Sequence, residues 1–213
     1  MKEEREVLDL CIANQIKIDP SMIGDDDIRL EAYIALGFTE KAFNDSYWLI
    51  RMDAYRTLGF IEKALDDGNV RIREEAYRIF GYTEKSLDDE YSYIRLNAYR
   101  ALGWTKDALG DEDEDIRFEA YTVLGFTEEA FEDEDKRIRL RAYQVLGFTK
   151  ESLDDVDEEI RNEAYRKMGF PKESLLDEDV INRSEAEKYF KLKEKYSKEE
   201  AKKIIDLWKL EKL

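Results

Sequence analysis

The chain has no histidine, one cysteine (Cys11) and two prolines (Pro20 and Pro171) in 213 residues. Each shortage excludes something. Without histidine there is no Ser-His-Asp triad and no imidazole metal site. A lone cysteine forms neither an internal disulfide nor a cysteine zinc cluster, and it suits a reducing compartment. Prolines at only two places leave long stretches open to helix. No apolar run approaches the roughly 18 residues of a spanning helix. The start, Met1-Lys2-Glu3-Glu4-Arg5, is not followed by the unbroken apolar region of a signal peptide. Neither a P-loop nor a GxGxxG is present. The expectation is a soluble, cytoplasmic protein that is not an enzyme and carries no cofactor and no metal.

Basic residues are also in deficit: 35 Lys and Arg against 52 Asp and Glu, a net charge of −17. Such a chain repels phosphate backbones and anionic lipid surfaces, so neither nucleic acid nor membrane is an expected partner. Aromatic residues, by contrast, are plentiful. Thirteen Tyr, ten Phe and three Trp are too many for a disordered polyanion. Abundant Lys and Glu beside only two Gln suit a thermophile.

The dominant feature is a repeat. Ile-Arg recurs at Ile28, Ile50, Ile72, Ile94, Ile116, Ile138 and Ile160, always 22 residues apart. Ala-Tyr follows four residues after each Ile, from Ala32-Tyr33 to Ala164-Tyr165. Gly and an aromatic come next, from Gly37-Phe38 to Gly169-Phe170, and an Asp closes each copy, from Asp45 to Asp177. Ile28, Ala32 and Leu36 lie on one face of a helix. Gly37 stands where a left-handed C-terminal cap needs a residue without Cβ. Thr39 reads as the N-cap of a stunted helix over Glu40 to Phe43, α or 3₁₀, and Asp45 as the N-cap of the next long helix. One unit is thus a helix of about three turns plus one short helix. It buries its apolar face only by stacking on its neighbours. Eight layers at about 8–10 Å each give a rod or arc of roughly 70–80 Å.

The ends decay from this pattern. Residues 8–25 align loosely with 28–45, pairing Leu8 with Ile28 and Asp25 with Asp45, so 1–27 reads as a degenerate capping repeat. Residues 28–177 hold the seven strict copies. In 178–213, Arg183 and Ala186 keep register, Asn182 replaces the Ile, and Lys191 replaces the Gly, so the helix should run on to about Lys195. Ser197-Lys198-Glu199-Glu200 is a capping box opening a last helix with Ala201, Ile204, Ile205 and Trp208 on one face. The whole chain, 1–213, is read as one all-α domain, a right-handed α-solenoid.

The unit Asp-x5-Arg-x2-Ala-x3-(Leu)-Gly resembles HEAT-like repeats, in which an Asp and an Arg six residues later form a ladder. The 22-residue period and stunted second helix are also similar to the leucine-rich repeat variant, an α/3₁₀ solenoid without a sheet. The resemblance implies a HEAT-like superhelix with a curved surface for protein contact. It also admits self-assembly and, third, an accessory role to an enzyme such as a lyase.

The repeating residues are read first as structure. The Arg29/Asp45 series is a ladder of exposed pairs worth about 0–1 kcal/mol each. The Tyr33 series packs its rings between layers with each hydroxyl on a polar neighbour. Leu102, a core residue on this reading, should cost about 2–5 kcal/mol when cut to Ala. Specificity is sought where copies differ. Tyr47-Trp48-Leu49, and Tyr91 with Tyr93, make two loops aromatic that are elsewhere acidic; they are the candidate partner-binding residues, with local packing as the alternative. The row Leu30, Met52, Leu96, Phe118 and Leu140 is either a groove for a partner helix or inter-repeat packing. Residues 106–135 hold 13 acids against Lys106 and Arg117. Asp111-x-Asp113-x-Asp115 begins like an EF-hand loop, but Ile116 and Thr122 stand where Gly and Glu belong. The partner read from these features is a protein or peptide, with a basic one favoured by the charge.

Overall fold

The computed structural model describes residues 2–194 and Ser197. Among them are nine α-helices: α1 (Lys2–Ala13), α2 (Asp26–Leu36), α3 (Trp48–Leu58), α4 (Val70–Phe80), α5 (Ser92–Leu102), α6 (Glu114–Leu124), α7 (Lys136–Leu146), α8 (Glu158–Met168) and α9 (Val180–Lys193). A short 3₁₀ helix, such as Glu40–Asn44 or Glu62–Asp66, separates each from the next. The described residues contain no strand. The fold is all-α, and the 22-residue unit is the expected long helix plus stunted helix. The chain divides into two compact units, residues 1–103 and 104–213. Within each, neighbouring repeats stack as an α-solenoid. No helix among the described residues is long and apolar enough to cross a membrane. The anticipated last helix over Ala201 to Trp208 lies outside the described residues.

Burial corrects the expected core face. In α3, Ile50, Ala54 and Tyr55 are fully buried, as are Ile72 and Ala76 in α4. The leucine that ends each helix is not: Leu102 is 47% exposed, and Leu36, Leu58, Leu124 and Leu146 are likewise on the surface. Leu102 has the right angle, since eight residues past Ile94 is about 80° around the helix. It fails on depth, because it is the last helical residue and projects past the edge of the layer. From α2 to α9, the preceding short helix packs on each long one. That close approach requires a small residue, and one recurs at Ala42, Ala64, Ser86, Ala108, Ala130, Ser152 and Ser174, the first five and both later serines all fully buried. This second 22-residue row is written in the sequence as well, in small residues that carry no apolar periodicity of their own.

The junctions also differ from expectation. Gly37 has φ 97° and ψ 144°, so the chain leaves the helix in an extended geometry with positive φ, not in a left-handed turn. Only Gly169 adopts the left-handed turn, with φ 89° and ψ 39°. A Cβ disfavours both. Asp45 is not the N-cap of α3. It ends the 3₁₀ helix, and the N-cap lies two residues on, at Tyr47. Thr39 does sit before the short helix, but its side chain makes no capping bond. At the start, Leu8 is buried against Ile28 and Ala32, as aligned. Asp25, however, caps α2 by accepting from the N–H groups of Asp27 and Ile28, which makes it the counterpart of Tyr47 and not of Asp45. At the other end α9 runs to Lys193, 14 residues against the 11 of each helix from α2 to α8. Buried Asn182 donates to the Glu158 carbonyl and accepts from Asn162.

Candidate functional site

The repeated polar residues are absorbed by the stack. Arg73 donates from Nε and Nη2 to the two carboxylate oxygens of Asp89, both at 2.8 Å, and from Nη1 to the Asp67 carbonyl, also at 2.8 Å. The same fork joins Arg29 to Asp45 and Arg51 to Asp67 in the first unit. It joins Arg117 to Asp133, Arg139 to Asp155 and Arg161 to Asp177 in the second. An inter-repeat ladder was expected, but not its depth. The Arg73 and Asp89 side chains are 8% and 5% exposed, so these are buried bidentate pairs and not solvated ones. The partner of each of these Arg residues is the Asp 16 residues on; the residue six back, Ile23 for Arg29 and an Asp for the others, accepts only through its carbonyl.

The tyrosine row is buried too, stacked on the aromatic after the glycine: Tyr33 on Phe38 at 5.5 Å, Tyr55 on Phe60 at 5.4 Å, Tyr143 on Phe148 at 5.8 Å. Burial pushes these phenols up in pKa. The expected polar partner exists for Tyr165, whose hydroxyl donates to Asp177 at 2.8 Å. It does not exist for Tyr33 and Tyr55, whose buried hydroxyls make no hydrogen bond to protein.

Asp177 shows what the ladder does to a carboxylate. Burial raises its pKa, but bonds from Arg161, from the Asp179 N–H and from Tyr165 outweigh that and hold it at about 2. Asp67 and Asp89 are lowered by the same balance. A folded pKa below the unfolded value of about 3.9 stabilises above that value and is lost as pH falls through the folded one. The urea midpoint should therefore hold from neutral pH to about 5, then fall between about pH 4 and 2, with Asp177 alone contributing roughly 2–3 kcal/mol. A midpoint unchanged down to pH ~2 would refute this assignment.

What remains on the surface is where repeats differ. The N-cap position carries Asp25, Asn69, Asp113, Asp135, Asp157 and Asp179, each accepting a backbone N–H of its helix. At α3 and α5 it carries Tyr47 and Tyr91, which provide no side-chain cap. Tyr47, Trp48 and Leu49 are half-buried, and Tyr47 and Trp48 pack on the core of the first unit. Tyr91 and Tyr93 are 46% and 56% exposed. Arg71 lies over the Trp48 ring at 5.5 Å and Arg73 over Tyr91 at 5.4 Å. Local packing thus explains much of the first loop and little of the second.

Trp48, Leu49 and Met52 line a groove of about 610 Å³ with Arg56, Arg71 and Glu74. In the second unit, Leu140 and Ile181 line a cleft of about 780 Å³ with Glu158, Glu159 and Glu163. These depressions use the same repeat positions: Trp48 and Leu49 correspond to Glu158 and Glu159, and Met52 corresponds to Asn162. Both thus fall on the row two residues after the Ile, in which Met52 is buried and Leu30, Leu96, Phe118 and Leu140 are half-buried.

The acidic stretch is spent on local structure. Asp113 accepts from the N–H groups of Asp115 and Ile116, Asp111 from that of Asp113, and Asp115 pairs with Arg137. No cluster of metal-ligating side chains exists among the described residues. Cys11 is buried beside Leu8, in a structural setting. No family model, curated protein or solved structure matches the chain.

Proposed function

We propose that this protein is a non-catalytic scaffold that binds a protein or peptide at the positions where its repeats vary. The observation that carries this reading is the loss of two helix caps. An Asp, Asn, Ser or Thr cap is worth about 1 kcal/mol. Six of the eight helices after α1 keep one, while α3 and α5 have tyrosine instead. Stability is given up at the two places where aromatic side chains reach the rim, which is the behaviour of a functional site. A groove at the same repeat positions in each unit supports the reading. The first offers an aromatic and thioether floor; the second sets Glu158, Glu159, Glu163 and Asp179 against Arg166 and Lys167, a net acidic lining that suits a basic segment. The bidentate ladder and the close helix pairs favour a HEAT-like relationship over the leucine-rich repeat variant. The compartment we propose is the cytoplasm.

Tyr91→Asp separates the two roles. It restores a cap while losing the Arg73–Tyr91 contact, worth about 0.5–1 kcal/mol. Stability should stay within about 1 kcal/mol of the parent, while affinity for a partner identified by crosslinking falls about tenfold or more. Charge reversal at exposed Glu158 (Glu158→Lys) tests the groove of the second unit by itself and should weaken a basic partner bound there. A partner bound equally by the parent and both variants would remove both sites from consideration.

A further inference from the structure

The first helix has one apolar side that no other described element covers. The inner side of α1 behaves normally, with Leu8 and Cys11 buried on α2. Its outer side carries Val7 at 54% and Leu10 at 62% exposure, and the following loop adds Ile16 at 52% and Met22 at 83%. Single exposed apolar residues are ordinary, but Val7 and Met22 line a formed depression of about 460 Å³. Its floor is Val7, Leu8, Ile18, Met22 and Ile23, and its charged residues are Glu3, Glu4 and Asp19, of which Asp19 is already paired with Lys41. An apolar floor inside an acidic rim selects a cationic amphipathic segment.

This chain contains one. Residues 191–213 hold eight lysines and five acids, a net charge of +3, while residues 1–190 carry 27 basic and 47 acidic residues, a net of −20. Within this basic stretch Ala201, Ile204, Ile205 and Trp208 fall at helical spacing, interleaved with Lys198, Lys202, Lys203 and Lys209. We propose that the α1 depression of one copy receives the segment 197–213 of a second copy, with Trp208 and the two isoleucines on the Val7–Met22–Ile23 floor and lysines beside Glu3 and Glu4. Such a contact is heterologous, so an open pair leaves an unused segment on one copy and an unused α1 depression on the other, and assembly proceeds head to tail. It uses none of the aromatic edge, so it stands or falls independently of partner binding there.

Sedimentation velocity over a range of concentrations tests this with three full-length proteins. The parent should show an average mass that rises with concentration to about twofold or more that of one chain, and less so at high salt. Met22→Glu places a charge on a largely exposed position of the depression and should leave a monomer. Trp208→Ala should also leave a monomer. Mixed, the two variants should recover association but stop at a dimer, because Met22→Glu still donates its segment and Trp208→Ala still offers its depression. A parent that stays monomeric at high concentration overturns the proposal, as does a mixture that fails to associate or a single variant that assembles like the parent.

Discussion

Arg73→Met should destabilise the protein by about 3–5 kcal/mol, the largest effect expected of any single polar substitution here. The change removes a bidentate bond to Asp89, a bond to the Asp67 carbonyl and the contact over Tyr91. It leaves Asp89 as a buried carboxylate with the Tyr91 N–H as its remaining donor of known geometry. The penalty comes mainly from that stranded charge and not from the intrinsic worth of the pair. The double variant Arg73→Met/Asp89→Leu should accordingly recover most of the loss, since an apolar pair of similar bulk removes both charges. Urea unfolding of parent, single and double variants measures this directly. A single variant within about 1 kcal/mol of the parent would mean that the pair behaves as a solvated surface bridge.

That comparison also marks how far the sequence could be read. Period, element lengths and the existence of a ladder are properties of spacing, and spacing is what a sequence displays. Ile28, Ala32 and Tyr33 recur because one layer must match the next, and their burial followed from the pattern. The aromatic loops at Tyr47 and Tyr91 were visible as departures from that pattern. Their meaning was not, because it depends on which residue caps the helix. Asp45 and Tyr47 both precede α3, and only the backbone shows that the Asp belongs to the preceding short helix while the Tyr occupies the cap. Burial of the Arg–Asp pairs was equally hidden. A charged residue at a repeated position is compatible with a wet rim or a dry seam, and the choice rests on how closely neighbouring layers approach. That approach is set by Ala64 and Ser86 on the short helices, whose small size fixes the distance between elements.

The same distinction between angle and depth governs the second large effect, within the single helix α5. Ile94→Ala should cost about 2–5 kcal/mol, because Ile94 is fully buried and its truncation leaves a cavity between layers. Leu102→Ala, on the same angular face two turns later, should cost about 1 kcal/mol or less, because nearly half of Leu102 already faces water. Periodicity alone assigns both residues to the core and predicts similar losses. Only the position of Leu102 at the last turn, beyond the packed short helix, separates them. Equal losses on thermal or urea unfolding would put Leu102 back in the core and contradict its exposure. A wide gap between the two variants would support a layer only about two turns deep, leaving the helix ends Leu36, Leu58, Phe80 and Leu102 as an apolar margin on the surface of the first unit.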